Sequence, residues 1–402
     1  MHILMVLDHA FPPDVRVENE ARSLVRAGFE VTVLAIGPDD RPPRDEMDGI
    51  RIVRDRLPAS VRNKLRGLAG TVPLLTGYVA HRIEQLHRTF RFDALHMHDL
   101  YLFGGGLRAG RRLGLPVVGD LHENWVEALR HYAWSTRFPG KWVVSLPRWE
   151  RLERAWVNAV DRLVVVIEEA AERNRALGVP PERITVVPNT IRREDFDRYP
   201  EEPDLIASLR SPLTITYTGG FDVHRGLASV IEAMPAVLER VPGARLVLVG
   251  DGRIRSELEQ QARRLGIDDA VVFAGWQPQA RLKSYILGSD VGLVPHLRTV
   301  HTDATIPHKL FHYMYLARPV VVSDCRPLAR IVEATGAGWV YPAGDAAALA
   351  RTLIEVASAP ERAAACGRRG RAAVLERYHW EATVQGLIDL YRELERERDE
   401  VR

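Results

Sequence analysis

Apolar runs alternate with amphipathic stretches along the first half of the chain. The run from Ile3 to Leu7 is continuously apolar, as expected of a parallel strand that is buried on both faces. The next stretch has apolar residues at helical spacing and ends at Gly28, which predicts a helix. The same pattern predicts further strands at 31–36, 49–54, 94–97, 116–119, 163–167 and 184–187.

A second alternation of the same kind follows residues 199–212, a segment with three prolines and few apolar side chains. We predict that this segment links two domains. The strands predicted beyond it are 213–217, 245–249, 270–273, 291–294, 320–323 and 338–341. Strands that alternate with helices twice over predict an α/β protein with two doubly wound domains. The predicted boundaries are 1–205 and 206–378, followed by a last helical segment, 379–402.

Residues 305–324 are predicted to form a short helix, which stops at Pro319, and then a buried strand. Pro307 suits the first turn of that helix, where a missing N–H costs nothing. A helix start carries unpaired N–H groups and a partial positive charge, and Lys309 adds a full one. This segment is therefore predicted to bind a phosphate.

The second domain opens with a strand that runs into Gly219 and Gly220, with Arg225 before the next helix. Glycines let backbone N–H groups approach an anion, and arginine adds a fixed charge. Two glycines after a strand are equally typical of an ordinary turn. Their place in the same domain as Lys309 favours phosphate binding.

Composition narrows the class of protein. The 402 residues are 46% hydrophobic and 27% charged, as in globular proteins, and a net charge of +2 argues against a nucleic-acid partner. The two cysteines form neither a disulfide framework nor a metal motif, which suits a reducing cytoplasm. No signal peptide or bilayer-spanning run is recognised. We therefore expect a cytoplasmic protein, either free or peripheral to the inner face of a membrane.

An ordered set of motifs resembles the retaining GT4 glycosyltransferases. In chain order they are P-N-T, G-G-F-D-V-H-R-G, L-V-L-V-G-D-G, V-F-A-G-W, S-D-V-G-L-V-P, P-H-K-L-F-H-Y-M, A-R-P-V-V-V-S-D and G-A-G-W-V-Y-P-A-G-D. The resemblance implies the GT-B fold, in which two Rossmann-like domains face each other across a cleft. The donor nucleotide is then expected on the second domain and the acceptor mostly on the first, with segment 379–402 packing back on the first.

The resemblance also assigns residues to the site. The expected catalytic residues are Arg225 and Lys309, which would hold the leaving diphosphate, and His122, which would touch the donor sugar. The other expected donor-binding residues are Asn189, Gly219, Gly220, Pro307, His308, Leu310 and His312. The expected acceptor-side residues are Arg16, His98, Asp99, Asp120 and Glu123.

Some positions depart from the family pattern. The family's pair of glutamates, eight residues apart, falls on Ala304 and His312. A neutral histidine can accept a hydrogen bond from a ribose hydroxyl through one nitrogen, but less well than a carboxylate. Ala317 stands where the family often has a glycine that ends the helix. These departures leave the identity of the nucleotide-sugar donor undetermined.

Two motifs have residue types that bind metal ions. Asp195 and Asp197 form a D-x-D, but they lie in a charged segment with no strand before it. His96, His98 and Asp99 end a predicted strand, where hydrogen bonding or a structural role is favoured over metal binding. No metal or other cofactor is expected.

A tryptophan-rich segment raises the question of a membrane surface. It contains Trp125, Trp134, Trp142, Trp149 and Trp156. Together with the basic segment 61–90, it fits amphipathic helices that contact a membrane or a lipid acceptor. An aromatic core beneath one helix is the alternative.

The predicted function is that of a retaining, metal-independent hexosyltransferase in polysaccharide biosynthesis. The donor is a nucleotide-sugar, with UDP favoured over GDP, and the acceptor is a glycan, a lipid-linked molecule or a small molecule. In the mechanism proposed for this family, the leaving phosphate takes the proton of the acceptor, so a dedicated protein base is optional. The alternatives are a sugar-nucleotide epimerase of the same fold and an inert paralogue that acts as a binding partner.

Overall fold

The computed structural model describes residues 1–131 and 144–401 of the chain. The chain divides into two compact units. The first comprises residues 1–188 and 384–402, and the second comprises residues 189–383.

The first unit contains a parallel sheet covered by helices. Its strands are β1 (His2–Leu7), β2 (Glu30–Gly37), β3 (Arg44–Met47), β4 (Ile50–Arg56), β5 (Ala94–His98), β6 (Val117–Leu121), β7 (Arg162–Val165) and β8 (Ile184–Val186). The helices between them are α1 (Val15–Arg26), α2 (Ala59–Leu68), α3 (Leu74–Phe90), α4 (Leu100–Leu113), α5 (Trp125–His131), α6 (Leu146–Ala159) and α7 (Glu168–Ala176). The predicted strands are confirmed to within a few residues at their ends.

The order of the strands fixes where a ligand can bind. Within the described ranges the sheet runs β3-β4-β2-β1-β5-β6-β7-β8, and only β3 is antiparallel to its neighbour. The strand order reverses between β1 and β5, and sheets of this kind bind ligands beyond the carboxyl ends at that point. The sequence pattern missed β3 because this short edge strand is charged and largely exposed.

The second unit repeats the architecture. Its strands are β9 (Thr214–Thr218), β10 (Arg245–Val249), β11 (Val271–Gly275), β12 (Val291–Val294), β13 (Val320–Ser323) and β14 (Gly338–Tyr341). Its helices are α8 (Arg193–Arg198), α9 (Pro203–Ser208), α10 (Leu227–Arg240), α11 (Arg255–Arg264), α12 (Gln279–Leu287), α13 (Lys309–Tyr315), α14 (Arg326–Thr335), α15 (Ala346–Ser358), α16 (Pro360–Glu376) and α17 (Trp380–Thr383). The parallel sheet runs β11-β10-β9-β12-β13-β14, so its order reverses between β9 and β12.

The boundary between the units differs from the predicted one. Residues 189–205, which the sequence assigned to the first domain, belong to the second unit. The physical reason is Phe196 on α8, which is buried in a core cluster with Phe311 of α13. Ile191 also pairs with His379 in a parallel bridge, so 379–383 belong to the second unit as well. The predicted linker 199–212 contains the short helix α9.

The carboxyl-terminal helix, α18 (Gln385–Val401), belongs to the first unit. Tyr391 is buried, and its hydroxyl lies 2.7 Å from Nδ1 of His96 at the end of β5. The amino group of Met1 forms an ion pair of 2.9 Å with Glu395. These contacts attach the last helix of the chain to the beginning of the first sheet.

The described tryptophans of the tryptophan-rich segment favour the alternative of an aromatic core. Trp125 and Trp149 are buried in the core of the first unit, and Trp156 packs against that core. Trp134 and Trp142 lie outside the described residues. Within the described residues, no helix combines the length and the apolar composition that crossing a bilayer requires.

Glycines allow α4 to lie directly on the sheet. A Cβ atom at Gly110 would lie 2.6 Å from Cγ2 of Val117 and 2.8 Å from the carbonyl oxygen of Leu115. Gly77, the fourth residue of α3, has no such neighbour, because the nearest atom to a Cβ there would be Nη1 of Arg108 at 3.9 Å. The two glycines therefore have opposite structural roles within one unit.

We predict that Gly110→Ala lowers the free energy of unfolding of the first unit by about 2–3 kcal/mol, because the methyl group overpacks a backbone contact. Gly77→Ala is the matched control and should raise it by about 0.5–1 kcal/mol, because glycine is a poor residue in a helix interior. Urea denaturation followed by circular dichroism measures both. Equal effects of the two substitutions would contradict this account of the packing.

Candidate functional site

A cavity of about 400 Å³ lies at the carboxyl ends of β9 and β12 in the second unit. It brings together most of the residues that the sequence assigned to the donor. The lining residues are Thr218, Gly219, Gly220, Arg225, Leu282, His301, Thr305, Ile306, Pro307, His308, Lys309 and His312. Two predicted donor residues are not among them, Asn189 and Leu310.

The loop after β9 is built for close approach to the cavity. Gly219 has φ of 131°, a conformation that other residues rarely adopt, and a Cβ atom there would lie 2.8 Å from Nζ of Lys309. Gly226 has φ of 71°, and a Cβ atom there would lie 1.9 Å from the carbonyl oxygen of Pro295. Glycine at both positions therefore keeps the loop close to Lys309 and to the segment after β12.

Lys309 is the first residue of α13 and is only 9% exposed. Its Nζ lies 3.5 Å from the centre of the Tyr217 ring, a cation–π contact. Burial, and then the positive charge of Arg225, hold the pKa of Lys309 well below its usual range. No ion pair joins Lys309 to a carboxylate among the described residues. An anion in the cavity would raise that pKa and favour the charged form of this amine.

Arg225 is held by a residue that the sequence analysis did not assign. Its Nη1 donates to Nε2 of His296, 2.9 Å away. His296 is 1% exposed, and burial together with the nearby cations keeps its pKa well below the usual range, so the ring is neutral and can accept. The signal in the sequence was its place directly after Pro295, beyond the carboxyl end of β12. His296 therefore orients the guanidinium of Arg225.

The structure corrects part of the prediction for the helix start. Pro307 lies before α13 rather than in its first turn, since the helix begins at Lys309. The Leu310 side chain is fully buried in the core, so only its backbone can contact a ligand. Helix α13 ends at Tyr315, before the predicted stop at Pro319.

His312 faces the cavity in a neutral form. Its ring stacks on Phe196 with ring centroids 4.9 Å apart. Burial, followed by His308 and Lys309, lowers the pKa of His312 to about 3. Ala304, the other departure from the family pattern, does not line the cavity. No carboxylate stands in the ribose position that the family pattern gives to glutamate.

The cavity is positive and contains no carboxylate among its described lining residues. Arg225 and Lys309 carry its charge, and His301, His308 and His312 add donors or acceptors. Backbone N–H groups beside glycines, two cations and hydroxyl acceptors suit the phosphates and the sugar ring of a nucleotide. The geometry of this one unit therefore supports an anion-binding site.

The first unit carries a different polar cluster at the carboxyl ends of β5 and β6. Arg16, on α1, forms a bidentate pair with Asp120, with Nε and Nη2 at 3.2 and 3.0 Å from the two carboxylate oxygens. Its Nη1 donates to the carbonyl oxygen of Val187 at 2.9 Å. Arg16, His98 and Asp120 are buried and contact one another within this cluster, and their assignment to the acceptor stays a prediction.

These buried residues control His122, which is partly exposed. Its Nε2 lies 3.0 Å from Oδ2 of Asp120 and 3.0 Å from Nδ1 of His98. Burial opposes a charge on His122, but Asp120 outweighs it and raises the pKa of His122 to about 9. Burial lowers the pKa of His98 to about 3, so His98 is neutral. His122 is therefore a cation at neutral pH.

Four buried side chains in this cluster could in principle hold a metal ion: Glu20, His96, His98 and Asp120. Asp99, which the sequence analysis considered as a ligand with the two histidines, is not among them. The guanidinium of Arg16 lies 3.0 Å from both Glu20 and Asp120. A cation already balances these carboxylates, which favours the structural interpretation of the cluster.

The remaining predicted residues of the first unit have other roles. Asp99 has φ of 69° and accepts a hydrogen bond of 2.9 Å from the Tyr101 hydroxyl. Glu123 is partly exposed beside His122. In the second unit, Asp197 accepts a hydrogen bond of 2.6 Å from the Tyr315 hydroxyl, and Asp195 pairs with Arg192 at 3.3 Å. Because Asp195 and Asp197 are engaged in this way on α8, the D-x-D is explained without a metal ion.

Comparison with known proteins gives two family matches that together cover both units. Residues 13–190 match the model of the glycosyl transferase 4-like domain. Residues 212–359 match the model of the glycosyl transferases group 1.

Two similar proteins illustrate the range of relatives. The amylovoran biosynthesis glycosyltransferase AmsK of Erwinia amylovora is 29% identical over 45% of this chain and 44% of its own. The 2-deoxystreptamine glucosyltransferase of Streptomyces kanamyceticus is 24% identical over 89% of this chain and 92% of its own.

Solved structures share the fold over almost the whole chain. Sucrose-phosphate synthase of Thermosynechococcus elongatus superposes with a TM-score of 0.75 at 20% identity, over 98% of this chain and 99% of the other. HepE of Anabaena, solved in complex with UDP, gives 0.71 at 16% identity, over 98% and 100%.

We predict that Asp120→Asn lowers the pKa of His122 from about 9 toward the ordinary value of about 6.5, because the main interaction that favours its charged form is lost. NMR titration of the histidine rings measures this. Glu18→Gln, on α1 but outside the cluster, is the control and should leave the titration unchanged. A pKa that stays near 9 in a folded Asp120→Asn variant would remove Asp120 from this role.

Proposed function

The chain belongs to the GT4-type glycosyltransferases of the GT-B fold, and on that premise we propose that it transfers a hexose from a UDP-sugar with retention of configuration. The acceptor is a hydroxyl group of a glycan, a lipid-linked molecule or a small molecule. One observation carries the proposal: the cavity of the second unit combines two cations with a glycine loop and has no carboxylate in its described lining.

The leaving diphosphate occupies this cavity in the proposed reaction. Negative charge grows on it as the bond between sugar and phosphate breaks, and Arg225 and Lys309 stabilise that charge. His296 holds Arg225 in place before the donor arrives, so little reorganisation is needed. Lys309 lacks a carboxylate partner within the described part of the chain. In the proposed reaction, the diphosphate becomes its anionic partner. These two cations supply the positive charge, so the proposal needs no metal ion.

His122 is assigned to the donor sugar because of the family resemblance. Its Nε2 faces Asp120, which leaves Nδ1 to donate to an oxygen of the sugar. The acceptor gives its proton to the leaving phosphate oxygen in this proposal, which accounts for the absence of an assigned general base.

Three similar proteins support the choice of donor and acceptor. HepE is described in complex with UDP, which favours UDP as the nucleotide. The names of AmsK and of the 2-deoxystreptamine glucosyltransferase refer to amylovoran biosynthesis and to a small-molecule acceptor, respectively. Both kinds of acceptor therefore stay within the proposal, and so does a role in polysaccharide biosynthesis.

The proposed location is the cytoplasm, with the enzyme peripheral to the membrane. The support is the segment from α2 to the start of α3, which exposes Val61, Val72 and Leu74 and the basic side chain of Lys64. Exposed apolar and basic side chains in one segment suit an anionic lipid interface.

An inert paralogue is the second candidate, because Ala304 and His312 replace the expected glutamates. Calorimetry with UDP and GDP, followed by a donor screen read by mass spectrometry, separates the two. Micromolar UDP binding with slow hydrolysis of one UDP-sugar supports the transferase. UDP binding without turnover of any donor or acceptor supports the inert paralogue.

We predict that Arg225→Ala and Lys309→Ala each cost about 2–4 kcal/mol of transition-state stabilisation, a roughly 30- to 900-fold loss in kcat/KM. Both should also weaken UDP binding in calorimetry. Arg253→Ala is the control, since that side chain is 82% exposed and bound to Asp222. Activity within about tenfold of the wild type in both cavity variants would remove their assigned role.

We predict that His312→Glu tightens UDP binding by about fivefold, because a carboxylate accepts two ribose hydroxyls where the neutral imidazole accepts one. His308→Glu places the same charge on the exposed residue just before α13. This variant should weaken UDP binding instead. The gain should vanish with 2′,3′-dideoxy-UDP. An unchanged UDP affinity in His312→Glu would place His312 away from the ribose.

A further inference from the structure

A second cavity, of about 430 Å³, lies at the opposite edge of the same sheet. Its lining includes the residues just before three strands: Leu213 before β9, Asp290 before β12 and Pro319 before β13. The donor cavity lies at the carboxyl ends of these parallel strands, whereas this one lies at their amino ends. It is therefore a separate site within the second unit.

Two arginines give this cavity the means to bind an anion. Arg318 is partly buried, and Nη2 donates to the carbonyl oxygen of Leu287 at 3.0 Å. Arg368, on the exposed side of α16, has no hydrogen-bond or ion-pair partner in the described part of the chain. Neither arginine forms an ion pair there with a carboxylate. Two guanidinium groups that line one cavity suit the oxygens of a phosphate.

The rest of the lining suits a ligand that carries hydroxyl groups as well as the phosphate. Oδ2 of Asp290 accepts a hydrogen bond from the backbone N–H of Thr214 at 2.7 Å, which leaves Oδ1 to accept from a ligand hydroxyl. Leu213, Leu316 and Val356 supply apolar contact. Inorganic phosphate would fill only part of this volume, whereas a phosphorylated sugar or polyol would use all three kinds of group.

Helix α13 connects this cavity to the donor cavity. Lys309 at its amino end lines the donor cavity, and the residues after its carboxyl end, Leu316 and Ala317, line the second one. With seven residues it is about 10 Å long. A Cβ atom at Gly367 of α16 would lie 2.0 Å from the carbonyl oxygen of Ala317, so the end of α13 packs directly on the helix that carries Arg368.

We propose that the second cavity is an effector site for a phosphorylated sugar or polyol, and that its ligand acts on the donor cavity through α13. The ligand bridges Arg318 and Arg368 and fixes the carboxyl end of α13 against α16. Because Lys309 belongs to the same short helix, the affinity for the donor diphosphate changes. The coupling to UDP rests on the proposed function, whereas the binding itself does not.

Calorimetry of the full chain with glucose 6-phosphate tests the binding. The wild type should bind in the absence of UDP, and Arg368→Gln and Arg318→Gln should weaken the affinity by about tenfold or more. Arg351→Gln removes an exposed charge on α15 that does not line the cavity, and it should bind like the wild type. Lys309→Ala should also keep this binding, which separates the two cavities. No binding at millimolar concentration, or full binding by Arg368→Gln, would overturn the site.

The UDP affinity measured with and without saturating glucose 6-phosphate tests the coupling. We expect a change of about threefold or more in the wild type, an equal change in the reciprocal experiment, and none in Arg368→Gln. An unchanged UDP affinity in the wild type would overturn the coupling. A chain that binds glucose 6-phosphate but no UDP would refute the proposed function and leave the second binding site standing.

Discussion

A buried amine without an acidic partner is the constraint on which the second unit depends. Lys309 lies against the face of Tyr217, and neither a salt bridge nor a lining carboxylate compensates its charge within the described ranges. Burying a charge without compensation is costly, and here the cost appears as a pKa well below the ordinary range. In the proposed reaction, the donor diphosphate is the missing partner. Its binding would offset part of this cost.

The first unit solves the same electrostatic problem in the opposite way. Arg16 is as buried as Lys309, but Asp120 meets it with two hydrogen bonds and Glu20 lies within 3.0 Å. The effect of this compensated cluster reaches the surface through His122, whose pKa Asp120 raises to about 9. The first unit thus compensates its buried cation within the fold, whereas Lys309 of the second unit has no carboxylate partner among the described residues.

Helix α13 gives the second unit its internal connection. Its amino end supplies Lys309, its middle supplies His312, and the turn after it packs against Gly367 of α16. Phe196 stacks on His312 from α8, so a segment that the sequence placed in the first domain supports the donor cavity. In the proposed effector site, a shift at the carboxyl end of α13 would reach Lys309 along the seven residues of this helix.

The sequence by itself determined the two sheets, the loop of Gly219 and Gly220, and the joint presence of Arg225 and Lys309 in one unit. Continuous apolar runs, and the glycines and prolines that end them, are local patterns. They can be recognised in the sequence without knowledge of distant contacts. Only the tertiary structure shows which side chains are hydrogen-bond or ion-pair partners. His296 lies 71 residues from Arg225, Asp120 lies 104 residues from Arg16, and Asp197 lies 118 residues from Tyr315.

The same reason explains the errors of the sequence analysis. Arg16, His98 and Asp120 were recognised as functional, but no local pattern shows that polar residues at strand ends lie beneath the surface. Leu310 follows Lys309 directly, yet consecutive residues of a helix point in different directions, and one enters the core while the other faces the cavity. The buried ring of Phe196 places its segment in the second unit, although the residues around it are charged. The order of strands and helices can be predicted from local sequence patterns. The burial of a side chain and its hydrogen-bond partner depend on segments that are distant in the sequence.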